Sequence, residues 1–430
     1  MRIVADLRTL SAAFLLLGAA VGVKASSPHP HDFPLVIYYP GRALLTGGNP
    51  YDRATYLEQY PVSEPFAPYA PGLLLLDLPF ASLPLATAEH LYVGFMVALT
   101  ILLAATSLKY NGIPAIAPTA FVIAGIILLT RPGRMNYVLG NFTLQAVIAT
   151  YVALRYAPTR PVVSALGLAV ALIKPSFGLP LAALMVGMGA VRAVLLGAGF
   201  ELVLSLPPSL ILAYRSGGVG EFFADFWNSL AWYQVQKAYN DPLLSPSRID
   251  ATSLLSRLTG EPLSGWEQLV VGVILVGTGI WALRALSRAS LSGSVGLTVG
   301  IAGCVIVLTG YHQPYDALVL TLPAVAATYR CLPPVLNRTL SRPVLLGIYA
   351  VLALNYLTSF RMLDRLGLTI RVGELDRAVE SRDPLVVVLI VLNALVILTL
   401  YLIFLTGAHD AITGLPDAGR AGDAGELHSP

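Results

Sequence analysis

Apolar runs close to the length of a bilayer crossing recur along almost the whole chain. A spanning helix needs about 20 apolar residues, because each residue advances ~1.5 Å against a hydrocarbon core of ~30 Å. By that ruler, segments near 8–25, 88–108, 113–130, 142–157, 162–175, 176–191, 194–213, 266–284, 295–310, 315–330, 343–360 and 384–406 read as membrane helices. Several are short, so they must join a neighbour or dip into the bilayer. The apolar stretch from Pro71 to Pro84 is shorter still and bounded by prolines, which fits a re-entrant or interfacial piece. Composition agrees: 56% of the 430 residues are apolar and 12% charged, whereas a soluble domain carries about 25% charge. A lone soluble enzyme cannot clothe its surface with so little charge, and a disordered chain holds far fewer apolar residues. The expected fold is an all-α polytopic membrane protein with about 12 transmembrane helices.

The chain starts with Arg2, Arg8 and an apolar run from Phe14 to Val23. This pattern also suits a secretory signal peptide; we read it as a first span. With the N-terminus inside, Lys109, Arg155, Arg160, Arg192, Arg284, Arg288, Arg330, Arg338 and Arg342 fall on short cytoplasmic connectors nearly free of acids; raw Lys/Arg counts do not favour this orientation, but long outer loops are largely exempt from the positive-inside rule. Three segments then emerge on the outer face, near 26–70, 214–265 and 361–383. The first two are too long for mere connection, and long loops are commonly functional. The domain reading is one multi-span unit over 1–408 and a disordered cytoplasmic tail over 409–430. No basic block points to nucleic acid, and Cys304 and Cys331 suggest neither a disulfide frame nor a metal knuckle.

The residues that carry chemistry gather on the outer side. From Pro34 to Thr46 apolar and aromatic residues fall at helical spacing, with Gly47-Gly48 as the stop. That predicts a short helix on the membrane interface, where Tyr38 and Tyr39 are at home. Asp32 sits just ahead of it. Position alone allows two roles: a cap for the helix, or a general base tuned by the low dielectric beside the bilayer. Arg131 and Arg134 form a pair at a membrane mouth, suited either to a phosphate or to interfacial anchoring. Lys174, at the end of a span and before Pro175, either snorkels to the interface or receives a lipid phosphate. The stretch His312-Gln313-Pro314-Tyr315-Asp316 falls between two spans as a polar cluster. In the second long loop Phe222, Phe223, Phe226, Trp227 and Leu230 are spaced as one face of an interfacial helix. There is no Walker loop, dinucleotide turn, metal-ligand spacing or nucleophilic serine elbow. No cytoplasmic segment is large enough to hold a nucleotide sugar, so a sugar donor must be lipid-borne or already outside.

Several motifs occur in a fixed order: Asp32-Phe33-Pro34, Tyr38-Tyr39, Gly41-Arg42-Ala43-Leu44-Leu45-Thr46-Gly47-Gly48-Asn49-Pro50-Tyr51, Tyr69-Ala70-Pro71, Gly140-Asn141 and Leu172-Ile173-Lys174-Pro175. This series resembles glycosyltransferase family 87, integral-membrane mannosyltransferases of the GT-C fold. The family usually carries Gly-Gln at Gly140-Asn141 and Tyr-Pro-Pro at Tyr69-Ala70-Pro71. The resemblance implies a polyprenyl-phosphate sugar donor, most often of mannose, and a glycan or glycolipid acceptor. It further implies inverting transfer on the outer face of the plasma membrane with no metal cofactor. Asp32 inherits the role of base. Lys174, His312, Arg131, Arg134, Arg42 and Tyr39 fall to the donor side, and the acceptor residues are unassigned. Within this class a pentofuranose on the same carrier is equally compatible with the sequence.

The rival class is a lipid-linked oligosaccharide flippase or other secondary transporter. Its signature is a pair of inverted halves with broken spans and ionisable groups near mid-bilayer. Here Glu201 is the main ionisable group inside a span, and polar residues concentrate on one face and its loops.

Overall fold

The computed structural model describes residues 2–25, 32–66, 69–235, 240–288, 295–337, 341–372, 376–379 and 384–413. Each of the expected membrane segments falls on a helix. In the first part of the chain these are α1 (Arg2–Ala25), α5 (Leu85–Tyr110), α6 (Ala117–Leu129), α8 (Thr143–Tyr156), α9 (Pro161–Leu172), α10 (Pro175–Gly187) and α11 (Val191–Arg215). The remainder are α14 (Gly265–Arg288), α15 (Val295–Thr309), α16 (Thr321–Thr328), α17 (Ser341–Leu354) and α19 (Pro384–Thr413). Among the described residues five stretches are long and apolar enough to cross a bilayer alone: Leu7–Ala25, Leu85–Tyr110, Val191–Arg215, Gly265–Arg288 and Val391–Asp410. The protein is thus an all-α polytopic membrane protein. Shorter apolar helices of 10–17 residues include α6, α9, α10 and α15. α19 continues to Thr413, past the expected end of the membrane unit, and residues 414–430 lie outside the described residues.

The breaks between short helices follow from proline. A residue that precedes proline is pushed out of the helical region, while proline itself suits the first helical position. Lys174 is accordingly extended (φ −103°, ψ 93°) between α9 and α10. Gln313 is extended (φ −105°, ψ 164°) before the 3₁₀ turn Pro314–Leu320 that leads into α16. At a third break Thr130 is extended and accepts the Gly133 N–H at 3.2 Å, starting α7 (Arg131–Leu139).

The long loops are folded rather than slack. The first holds a π-helical turn, Phe33–Tyr38, then α2 (Tyr39–Thr46) and α3 (Arg53–Gln59). Gly47 ends α2 with φ +99°, a conformation that glycine alone adopts freely. Arg215 donates to the carbonyls of Ala43, Leu44 and Gly48 there, satisfying the helix end. α4 (Gly72–Ala81) is the proline-bounded piece, ten residues long and too short to cross. Because α2 and the π turn pack on α4, Tyr38 is buried instead of lying at the lipid interface. The Gly72 N–H at its start donates to Ser205, whose hydroxyl in turn donates to Glu201 on α11. The second loop carries α12 (Val219–Val235) and α13 (Ala251–Thr259). Phe222 and Phe226 of α12 stack on Tyr51 of the first loop, while Phe223 and Trp227 face outward. The third loop contains α18 (Phe360–Arg365) and a feature absent from the expected fold, an antiparallel hairpin of β1 (Thr369–Val372) and β2 (Asp376–Val379) in which Ile370 faces Ala378.

Candidate active site

Three of the chain breaks converge on one polar cluster. Lys174, at the α9–α10 elbow, donates from Nζ to the Thr143 hydroxyl at 2.9 Å and to Asp316 Oδ1 in a salt bridge. Thr143, the first residue of α8, donates to the same Asp316 oxygen at 3.1 Å. The other carboxylate oxygen lies 2.9 Å from His312 Nδ1 and accepts the Gln313 N–H at 3.1 Å. Asp316 is therefore the hub. It holds an ammonium on one oxygen and an imidazole on the other, with side-chain exposures of 10% for Lys174, 2% for Asp316 and none for His312. A charge so deep persists only when paired and hydrogen-bonded. The rings of Phe177 and Tyr315 stand 4.8 and 5.2 Å from Nζ, adding cation–π attraction. Nδ1 is turned to the Asp316 carboxylate, and Nε2 has no partner among the described residues.

Asp32 lies within electrostatic reach of this cluster. Its backbone is helical (φ −84°, ψ −17°) and its side chain makes no capping bond to the turn that follows, which sets aside the capping role. Its negative charge is felt by Lys174 and by Tyr69 and Tyr92. Burial pushes the Tyr69 hydroxyl well above the usual tyrosine value, and the carboxylates of Asp316 and Asp32 add to the shift. Tyr69 belongs to the extended strap that leads from α3 into α4, of which 67–68 lie outside the described residues. The strap is tied to the elbow by the Ala70 N–H, which donates to Ile173 O at 3.0 Å, and to the first loop by Tyr51 Oη, which donates to Tyr69 O at 2.8 Å.

A buried amide network backs the cluster. Asn141 Oδ1 accepts from Asn136 Nδ2 at 2.6 Å and from the Thr143 N–H at 3.1 Å, which fixes the start of α8 and so the Thr143 hydroxyl. On the far side the second loop closes over His312, where the Ile249 N–H donates to His312 O at 3.1 Å. The adjacent Arg248 grips Asp250 through two bonds of 2.7 and 2.8 Å and lies over the Tyr311 ring at 5.3 Å.

The residues singled out from the sequence divide into two groups. Lys174, His312 and Asp32 come together. Arg131 instead donates to Asn355 O at 2.8 Å and to Thr358, and Arg134 lies over the Tyr356 ring at 5.8 Å, so both face the end of α17. Arg42 donates to Ala81 O at 3.3 Å, and Tyr39 stacks on Tyr38 and Tyr60. Thr143 and the hub role of Asp316 were not singled out. The i, i+4 spacing of His312 and Asp316 is the one local signal for the pair. Among the described residues no group of three His, Cys, Asp or Glu side chains converges as a metal site.

No curated protein and no solved structure matches the chain. The family model of glycosyltransferase family 87 matches residues 66–310, more than half of the sequence, and includes Lys174, Thr143 and the second loop. A buried polar cluster at the broken ends of membrane helices fits that match, and the chain belongs to glycosyltransferase family 87, as a membrane-embedded glycosyltransferase.

Proposed function

We propose that the protein transfers a sugar, mannose first among candidates, from a polyprenyl phosphate to a glycan or glycolipid acceptor on the outer face of the plasma membrane. The observation that carries this reading is a buried ammonium held at a helix elbow within electrostatic reach of Asp32, a carboxylate that does not cap its helix. In an inverting transfer the acceptor hydroxyl attacks the anomeric carbon opposite the phosphate. Asp32 takes the hydroxyl proton as the new C–O bond forms. The bond from the anomeric carbon to the phosphate oxygen breaks, and its electron pair leaves on polyprenyl phosphate. Lys174 has three N–H donors, with Thr143 and Asp316 occupying two. The third meets the departing phosphate and stabilises the charge that develops there, without a metal. His312 Nε2, as an acceptor, receives a hydroxyl of the donor sugar.

The test uses purified protein in lipid bilayers with polyprenyl-phosphate mannose and membrane glycan extract, following release of polyprenyl phosphate. Release is expected to continue with a chelator and to be lost in Asp32→Asn at wild-type expression. Full activity of Asp32→Asn removes Asp32 from the role of base. Absence of release from every polyprenyl-phosphate sugar tried, by folded protein, leaves lipid-linked oligosaccharide flipping as the better reading.

A further inference from the structure

Away from this cluster, a cavity of about 310 Å³ opens between the end of α10 and the end of α14, lined by Arg284, Ser287, Arg288, Val186 and Gly189 among others. It lies at the opposite end of α10 from Lys174, about 20 Å along a 13-residue helix. Among the described residues neither guanidinium has an acid partner. The residues that follow Arg288, from Ala289 to Ser294, carry no charge at all. The Ser287 hydroxyl donates to Leu283 O at 3.0 Å, so its oxygen faces the cavity as an acceptor only. Two cations thus share one cavity whose lining, among the described residues, holds no carboxylate.

What leads into the cavity identifies its occupant. Ile274 and Trp281 are 58% and 53% exposed. They recur at a spacing of seven with Arg288, and Arg284 lies one turn past Trp281, so a lipid-facing stripe of α14 runs directly into the two arginines. An aromatic ring followed by basic residues at the end of a membrane-length helix marks the level of the headgroups. We propose that this cavity binds an anionic phospholipid, its phosphate forked between Arg284 and Arg288 and its acyl chains laid along Ile274 and Trp281. The geometry requires only the bilayer and the two guanidiniums, so it holds for whichever sugar the enzyme transfers. Bound lipid would clamp α10 to α14, and α10 is the helix that begins beside Lys174.

Native mass spectrometry of the detergent-solubilised full chain, titrated with phosphatidylglycerol or phosphatidylcholine, tests this directly. Phosphatidylglycerol should be retained in preference. The pair Arg284→Gln, Arg288→Gln should weaken it about thirtyfold, as expected for the loss of two basic contacts at a membrane surface. The pair Arg284→Lys, Arg288→Lys, which keeps both charges, should hold it within about threefold of wild type. Equal retention of the two lipids, or unchanged phosphatidylglycerol binding in the Gln pair, overturns the proposal. So does a Lys pair that loses the lipid as fully as the Gln pair. Displacement of phosphatidylglycerol by an equal concentration of glycerol phosphate would reassign the cavity to a soluble phosphate and also overturn it.

Discussion

Substituting Asp316 by asparagine removes one charge from the centre of the site while keeping the shape of the side chain. The ammonium of Lys174, 10% exposed at its side chain, then has no counter-charge in direct contact. Leaving one member of a buried pair uncompensated costs about 3–5 kcal/mol. The amide adds to this, because whichever oxygen becomes NH₂ now points a donor at a donor, either Lys174 Nζ or the Gln313 N–H. Against a total stability of about 5–15 kcal/mol for a typical domain, this single change is severe. The informative measurement is a double-mutant cycle with Lys174→Met, read as denaturation by SDS in mixed micelles and followed by tryptophan fluorescence. Removing both charges leaves no orphaned ammonium, so the double variant should recover about 3 kcal/mol relative to the two single losses combined. If the two losses simply add to within about 0.5 kcal/mol, the residues are energetically independent and the hub assigned to Asp316 is refuted.

Other expectations are independent of that pair. A Cβ at Gly178 would lie 2.4 Å from Leu172 Cα, so Gly178→Ala must push α10 off α9; a loss of about 1–3 kcal/mol is expected, and an unchanged melting temperature would show that the elbow has slack. Arg131→Lys gives up forked contacts to Asn355 and Thr358 and should cost about 2–3 kcal/mol. Its dependence on donor concentration should stay as in wild type, and a raised donor KM at full stability would place this guanidinium in the donor site after all. Tyr51→Phe removes the bond to Tyr69 O, worth about 1 kcal/mol. The Ala70 amide should exchange with solvent faster, and unchanged protection there would mean that the strap is held by something other than Tyr51.

The membrane helices and the elbows were legible in the sequence because their causes are local. Hydropathy marks the spans, and Lys174-Pro175 and Gln313-Pro314 mark two breaks of the kind proline favours in the residue before it. Lys174 and His312 were legible as polar groups at span ends, but their common partner was not, because Asp316 is joined to Lys174 across 142 positions and no spacing rule reaches that far. The capping role open to Asp32 fails on backbone conformation. A capping side chain needs an extended residue outside the helix, and Asp32 is itself helical. Tyr38 looked like an interfacial residue until α4 covered it, a contact that follows from tertiary packing and leaves no trace in the first loop alone.

The separation of Lys174 from Asp316 also imposes a schedule on biogenesis. At about 5–20 residues per second, the 142 positions between them take about 7 to 30 s to synthesise. Throughout that interval the elbow is already made, and its ammonium has Thr143 as a neighbour but no carboxylate from the later turn. An elbow lysine without that carboxylate is expected to favour the hydrated membrane edge until the turn bearing Asp316 arrives. Fragments ending before Asp316 should therefore be poor at leaving the insertion machinery and good substrates for membrane proteases.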